Sequence, residues 1–284
     1  MTSKQTIFDK KPKPFVKWVG GKRQLLKQFR ENNLYPKNFN PEVNTYYEPF
    51  VGGGAVFFEL IPQKSVLSDL NSELVKTYNV IKKDPESLIK SLKKHKHNKE
   101  YFLKIRSRNT LKLSDLEIAS RFIYLNRTAF NGMYRVNKQG KYNVPFGSHK
   151  NPMICDEENI RLVSKILKKV SIKNQDYVKV LDCAKKGDFI YFDPPYYPVS
   201  KTASFTSYTA NSFLESEQEQ LRDAFIKLHE KGCYVMLSNS DTSFIEGLYK
   251  NIKGVKIKKV HAGRAINSNG AKRGKVSEIV VINY

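Results

Sequence analysis

The period of the apolar positions changes along the chain, and each change marks an element. Around Gln24–Arg30 apolar and polar residues recur at helical spacing, which predicts a short amphipathic helix. Tyr46–Phe50 has the character of a buried strand. It passes into Val51-Gly52-Gly53-Gly54 and then into a helix-like stretch, Ala55–Leu60. Lys64–Leu67 reads as a second strand, closing on Ser68-Asp69. Strand, glycine turn, helix and strand in that order predict the opening of a parallel α/β sheet.

The middle of the chain breaks this rhythm. Ser114-Asp115-Leu116-Glu117 has capping-box spacing and opens a helix to about Leu125. Asn131–Gly147 is rich in Asn, Gly, Lys and Tyr, and its Asn137-Lys138-Gln139-Gly140 suits a hairpin turn. In Glu158–Val170 the apolar residues at 160, 163, 166, 167 and 170 keep helical spacing. Strand patterns return at Tyr177–Leu181, Asp188–Phe192, Cys233–Leu237 and Glu278–Ile282. A capped helix is expected from Ser212-Phe213-Leu214-Glu215 to near Gly232. The pattern describes an α/β domain interrupted by a helical and hairpin insertion, without internal repeats.

Charge narrows the partners. The 284 residues carry 50 Lys and Arg against 27 Asp and Glu, a net charge of +23. A balance this lopsided points to a polyanion, either nucleic acid or an anionic membrane surface. No window approaches 18 consecutive apolar residues, so no span is expected. Met1–Lys13 is polar and lysine-rich, without the apolar region of a secretory signal, and reads as a mobile tail to Pro14. Cys155, Cys183 and Cys233 lie far apart and form no CxxC pair, against a zinc ribbon or disulfide scaffold. An aromatic share of 12% argues against a disordered basic protein. A reduced, intracellular globular protein with a basic face is expected. Lys82–Lys112 holds eleven Lys and Arg against three acids, and Lys250–Lys275 holds nine against none. Both read as surfaces for a phosphate backbone, with a solvated face as the alternative.

Two glycine clusters invite phosphate readings. Gly20-Gly21-Lys22 fails as a phosphate loop, because Val16 and Arg23 stand where glycine and Ser or Thr are needed. Gly52-Gly53-Gly54 fails as a dinucleotide fingerprint, whose third glycine would fall at Phe57. Phe50-x-Gly52-x-Gly54 after a strand fits better, with Asp69 ending the next strand. Glycines let backbone approach a ligand closely, and the acid can grip ribose hydroxyls.

Asp193-Pro194-Pro195-Tyr196 is the sharpest signal. Two prolines remove two backbone donors and fix φ, leaving a rigid turn of acceptors at the carboxyl end of a strand. Such a turn suits a group with two N–H donors, such as an exocyclic amine. Tyr196 offers a face to a planar base. A plain proline-rich loop is the bland alternative. His95-x-His97 lies in a lysine run and reads as solvated, so no metal is expected.

Phe50-x-Gly52-x-Gly54 together with Asp193-Pro194-Pro195-Tyr196 resembles the S-adenosylmethionine-dependent amino-methyltransferases acting on DNA. More narrowly, the chain is similar to the Dam-type, D12-class DNA adenine-N6 methyltransferases. The matching segments are Lys17-Trp18-Val19-Gly20-Gly21-Lys22, Glu48 to Gly54, Ser68-Asp69-Leu70-Asn71, Tyr124-Leu125-Asn126-Arg127, Asn131-Gly132-Met133-Tyr134-Arg135, Asn143-Val144-Pro145-Phe146-Gly147 and Leu237-Ser238-Asn239. They follow the family order: cofactor motif, recognition region, catalytic motif.

The resemblance implies a Rossmann-like methyltransferase sheet, mostly parallel and seven-stranded, with an inserted helical and β-hairpin DNA-recognition domain. Residues 1–80 and 171–284 would form the S-adenosylmethionine-binding catalytic domain, and 81–170 the recognition domain. The methyl donor would be S-adenosylmethionine, held by Trp18, Lys22, Phe50, Gly52, Gly54, Asp69 and Asp193. Asp193, Pro194 and Tyr196 would be catalytic. Lys17, Asn131, Met133, Arg135 and Pro145 would contact DNA, with Arg135 and Lys17 at guanines and Asn131 on the backbone near the target. Met133 stands where the family frequently has Leu, as an intercalating wedge, and His149 stands where Tyr is common.

The implied chemistry agrees with the residues. Adenine N6 is a poor nucleophile because its lone pair is shared with the ring. Acceptors at Asp193 and the Pro194 carbonyl can draw the amine toward tetrahedral geometry, and positioning of this kind supplies roughly 7–11 kcal/mol. The base must leave the duplex to be reached. The resemblance implies site-specific N6 methylation of adenine in double-stranded DNA, in GATC. The expected setting is the cytoplasm of a prokaryote or phage-infected cell, with a separately acting restriction endonuclease as candidate partner. RNA adenine, cytosine N4 and a protein glutamine amide are the alternative substrates. Asp rather than Asn at 193 and the +23 charge disfavour the protein substrate. A non-catalytic DNA-binding module would show a broken proline turn, and this one is intact.

Overall fold

The computed structural model describes residues 10–137, 139–199, 213–263 and 275–284. Seven strands form one sheet: β1 (Tyr46–Glu48), β2 (Ser65–Asp69), β3 (Val170–Asn174), β4 (Phe189–Phe192), β5 (Tyr234–Ser240), β6 (Lys256–Gly263) and β7 (Lys275–Ile282), in the order β3-β2-β1-β4-β5-β7-β6. The pairings β3-β2, β2-β1, β1-β4 and β4-β5 are parallel, whereas β7 is antiparallel to both β5 and β6. This is the mostly parallel sheet the sequence led us to expect.

The sheet is covered on both faces, which is why β4 is an unbroken apolar run, Phe-Ile-Tyr-Phe, with every residue buried. Alternate residues feed two cores. Tyr46, Phe189, Tyr191, Met236 and Val280 enter one. Tyr47, Ile190, Phe192, Val235 and Val281 enter the other.

Among the described residues ten helices flank or extend the sheet: α1 (Leu26–Glu31), α2 (Ala55–Leu60), α3 (Ser72–Lys83), α4 (Pro85–Lys93), α5 (Lys99–Arg106), α6 (Asp115–Thr128), α7 (Glu157–Leu167), α8 (Val180–Cys183), α9 (Glu215–Glu230) and α10 (Ser243–Tyr249). Local chemistry starts them. The Asn71 side chain caps α3, Asp84 with Pro85 opens α4, and Ser114 with Glu117 closes the expected capping box at α6. Helix α6 packs on α3, and α7 on α3 and β3, so the insertion is built directly onto the sheet's flanking layer. Among the described residues no helix is long and apolar enough to cross a membrane.

Several expectations need correction. Tyr177–Leu181 is no strand: a 3-10 turn, Tyr177–Lys179, runs into α8. The Asp176 side chain accepts from the Val178 N–H at 3.0 Å, and Tyr177, Val180 and Ala184 turn one face into the core. Steps of three and four residues are helical, and the five-residue window hid them. The third strand is Val170–Asn174 instead, so α7 stops at Leu167. Strand β6 was hidden inside the second basic run. Its lysines blunt an open sheet edge. The expected helix at Gln24–Arg30 is divided into a 3-10 turn, Lys22–Gln24, and α1.

The N-terminal segment from Lys10 is not a free tail. Lys10 pairs with Glu158, Lys11 with Glu59 and Lys13 with Asp156, while Pro12 is buried. The backbone N–H and carbonyl of Lys13 both bond the Asn159 side chain at 2.9 Å. Residues 1–9 lie outside the described residues. So do Lys138 of the hairpin turn, Ser212 of the expected cap, and 264–274 of the second basic run.

Candidate functional site

The glycine turn follows β1 at the carboxyl edge of the sheet. Gly52 and Gly54 have φ of +46° and +67°, left-handed values that favour glycine. The Gly52 N–H donates to Asp69 Oδ2 at 3.0 Å, and the Asn71 N–H to Asp69 Oδ1 at 2.9 Å. One carboxylate thus ties the turn to the start of α3. Burial pushes the Asp69 carboxyl up, and those N–H donors pull it back.

The space left by the missing Cβ of Gly52 is taken by Trp18. A Cβ there would lie 2.5 Å from the indole Nε1. The indole also stacks toward Tyr134 and Phe122, with ring centroids at 6.0 and 6.4 Å. Phe50 leaves the turn on the other side and stacks on Tyr177 at 5.2 Å. Trp18, Phe50, Gly52, Gly54 and Asp69, expected together from separate segments, do come together.

The second turn follows β4. Asp193 Oδ1 lies 2.9 Å from Lys22 Nζ, whose side chain is only 3% exposed. The same ammonium donates to the Gly20 carbonyl and sits 4.5 Å from the Tyr196 ring centroid. One face of the tyrosine is therefore covered by Lys22. The Tyr196 hydroxyl donates to Glu278 Oε2 at 2.7 Å.

Two buried amides brace this turn. Gln218 Nε2 donates to the Pro195 carbonyl at 3.1 Å, and the Tyr197 N–H donates to Asn239 Oδ1 at 3.2 Å. The prolines remove two of the turn's own donors, so the Gln218 amide satisfies the Pro195 carbonyl from outside, while the remaining Tyr197 N–H finds its acceptor in Asn239.

Charges at this edge are unevenly compensated. Burial pushes the Asp193 carboxyl up to about 6, Lys22 opposes the rise, and Glu278 adds to it. Glu48, at the end of β1, is 2% exposed. It accepts from the Tyr46 hydroxyl at 2.7 Å and the Phe57 N–H at 3.0 Å. Burial pushes its carboxyl up to about 8. Burial thus favours the protonated form of Glu48, while the Lys22 ammonium favours the ionised form of Asp193. The glycine cradle, the ribose-type acid and the acceptor turn fit a nucleoside carrying a positive charge.

The segment Lys17 to Lys22 links this site to the insertion. Asn126 accepts from the Lys17 N–H and donates to the carbonyls of Lys17 and Gly132, each at 2.8 Å. The Lys17 side chain lies across Gly132, and its Nζ is 3.3 Å from His149 Nε2. The hairpin is held by the Val136–Tyr142 bridge and by Asn137, whose side chain accepts from the N–H groups of Gln139 and Lys141. Arg135 donates to Asn143 Oδ1 at 2.9 Å. Lys17, Asn131, Arg135 and Pro145 are all exposed, and Met133 is half-buried.

Part of the first basic run already has partners within the protein. Lys82 donates to the Val170 carbonyl and Arg106 to that of Val144. Lys93 pairs with Glu157, and Arg108 with Glu117.

Several residues escaped the sequence reading. Glu48 is a lone acid in a buried strand. Gln218 holds a core position of α9, in line with Leu221, Phe225 and Leu228. Glu278 is a charge at the head of an apolar strand run. Phe130 is 46% exposed beside Asn131, an apolar ring at a polar turn.

Comparison with known proteins agrees with this geometry. Residues 18–266 match the D12 class N6 adenine-specific DNA methyltransferases. The chain is 46% identical to the Type II methyltransferase M1.LlaDCHI of Lactococcus lactis subsp. cremoris, over 96% of this chain and 95% of that one. It is 42% identical to the Type II methyltransferase M.MjaIII of Methanocaldococcus jannaschii, over 96% and 99%. It is 32% identical to the DNA adenine methylase of Escherichia coli K12, over 96% of both.

Proposed function

The chain belongs to the D12 class of N6 adenine-specific DNA methyltransferases, and from that premise we propose how its residues divide the work. It is an enzyme that methylates adenine N6 in DNA, and the family implies S-adenosylmethionine as methyl donor. That donor supplies an electrophilic methyl group on a sulfonium. Phe50, Gly52, Gly54, Trp18 and Asp69 hold its nucleoside part, and Lys22 and Asp193 face its charged end. Residues 1–80 and 171–284 carry this chemistry, and 81–170 reads DNA.

The single observation that carries the assignment is the acceptor turn at Asp193. Its carboxylate is half-buried and paired with Lys22, on a turn braced by Gln218 and Asn239 and beside a tyrosine ring. The flipped adenine donates its N6 hydrogens to Asp193 and the Pro194 carbonyl. This localises the nitrogen lone pair and aims it at the donor. Asp193 also lies where the departing proton leaves N6. Tyr196 stacks on the base through the face Lys22 leaves open. Unstacking the base from the duplex costs a few kcal/mol, and this contact offsets part of that.

We propose GATC as the site, with Arg135 and Lys17 reading guanines, Asn131 on the backbone, and Pro145 and Met133 against the bases. Exposed Phe130 gives the same face a second apolar wedge. The Type II naming of two relatives supports pairing with a separately acting restriction endonuclease. The test is to sequence DNA from cells expressing the wild type or Asp193→Ala. N6-methyladenine confined to GATC, and lost in the variant, is expected. Methylation at another motif overturns the site, and methylation surviving in the variant overturns the role of Asp193.

A further inference from the structure

Strand β7 runs against its neighbours, and that reversal carries a charged residue to the methyl-transfer site. Glu278 pairs in register with Ser240, the last residue of β5. Parallel strands β4 and β5 end at this edge, and β7 reaches it near its own beginning. Glu278 thereby stands beside the turn after β4 although it is distant in sequence. It also lies beyond residue 266, where the family match ends.

Four side chains form a continuous chain here. Glu278 Oε2 accepts from the Tyr196 hydroxyl at 2.7 Å. The Tyr196 ring carries Lys22 Nζ at 4.5 Å from its centroid. Lys22 Nζ is 2.9 Å from Asp193 Oδ1. We propose that Glu278 is a positioning residue for methyl transfer: it locks the Tyr196 ring, and through it Lys22 and Asp193, in the arrangement that receives the extrahelical adenine. This rests on the roles given above to Asp193 and Tyr196.

The hydroxyl is the only polar handle on the tyrosine ring. A hydrogen bond to a carboxylate is roughly twice as strong as one to a neutral acceptor. With that anchor the ring plane is set before the base arrives, so the ordering is not deferred to the reactive encounter.

Charge supplies a second consequence. The groups facing Asp193 are Lys22 from the segment before α1, Glu48 from β1, Glu278 from β7, and Tyr191 and Tyr196 from its own strand and turn. Burial disfavours the charged form of Glu48, and Lys22 and Glu278 act on Asp193 as charges of opposite sign. Removing the negative one lets Asp193 ionise at lower pH.

The test uses the full chain with Glu278→Ala, Glu278→Gln, Tyr196→Phe and the Glu278→Ala/Tyr196→Phe double variant. Turnover on duplex DNA, cofactor affinity and urea melts are measured on each. Glu278→Ala should lower kcat at least tenfold, with DNA affinity within twofold and a loss of cofactor affinity smaller than the loss in kcat. Glu278→Gln keeps an acceptor for the hydroxyl and should recover most of that loss, while moving the acid limb of the pH–rate profile downward. Tyr196→Phe should add no more than twofold on top of Glu278→Ala, because both cut the same bond. Wild-type turnover in Glu278→Ala overturns the proposal, as do fully additive losses or an unmoved acid limb. If Glu278→Ala does not fold, the glutamine variant and Tyr196→Phe still decide it. Asp193→Ala with normal turnover would overturn the underlying site instead. An inactive Asp193→Ala beside a normal Glu278→Ala overturns Glu278 alone.

Discussion

Asn239 Nδ2 donates to Gln218 Oε1 at 2.9 Å, and both side chains are completely buried. Asn239 comes from β5 and Gln218 from α9, and each also holds one backbone group of the turn after β4. The amide pair works as a buckle between sheet, helix and catalytic turn. Neither amide reaches solvent, so each group left unpaired there costs about 1–3 kcal/mol.

Gln218→Ala strips partners from both Asn239 and the Pro195 carbonyl. A stability loss of at least about 2 kcal/mol is expected by urea unfolding. Turnover should fall more than cofactor affinity. A variant as stable and active as wild type would show that the buckle is dispensable.

Methylation should depend on pH through Asp193. Its carboxyl is pushed up to about 6. The ionised form accepts from the amine, so the rate rises from pH 5 to 7 with a midpoint near 6. Asp193→Asn should remove the step and lower kcat by about 10²–10³-fold, the scale for losing one preorganised polar group. Single-turnover rates across that range provide the measurement.

Glu48 makes stability pH-dependent in the opposite sense to an ion-paired acid. Its folded carboxyl, at about 8, lies above the ordinary 4.5. The native state therefore holds a proton that the unfolded chain releases. This contribution is full below about 4.5 and is lost as pH rises through 8, with a slope of at most about 1.4 kcal/mol per pH unit. Glu48→Gln should flatten urea-derived stability between pH 5 and 8.

Gly52→Ala places a methyl group 2.5 Å from the Trp18 indole at a φ of +46°. The left-handed backbone alone costs about 1–2 kcal/mol for a residue with a Cβ. Trp18 is the chain's only tryptophan, so its fluorescence reports displacement directly. Cofactor affinity should fall, and Asp69→Ala should lower it as well, because the carboxylate ties down the same turn. Unchanged calorimetric affinity in both would separate the turn from the cofactor.

Arg135 is exposed and oriented by Asn143. An Arg fork on guanine is worth about 1–3 kcal/mol of discrimination. Arg135→Ala should relax choice at one guanine position of the site, seen as unequal rate losses on singly substituted duplexes. Equal slowing on every duplex would mean that it touches phosphate only.

Much of this was legible in the chain itself. The glycine turn, Asp69 at a strand end, the capping box at Ser114 and the acceptor turn at Asp193 are written in consecutive residues. Their physics is local: φ restriction, a missing Cβ, absent donors, a capping hydroxyl. The strands from Tyr46 and Asp188 announced themselves because burial on both faces demands an apolar run.

Other features were decided only when the chain closed on itself. Tyr177–Leu181 has a strand-like pattern, yet its environment buries a helical face. Lys256–Gly263 reads as a charged surface, yet pairing with β7 makes it an edge strand. Lys82 and Arg106 look like phosphate ligands until carbonyls of distant segments claim them. Glu48 stands in the segment that carries the glycine turn, but nothing local gives it a role, and Gln218 and Glu278 have no local signature at all. Their roles come from the strand order that sets β1, β5 and β7 around β4, with α9 packed beside them. Hydrogen bonding and desolvation act between groups near in space, and the antiparallel course of β7 alone brings Glu278 to Tyr196.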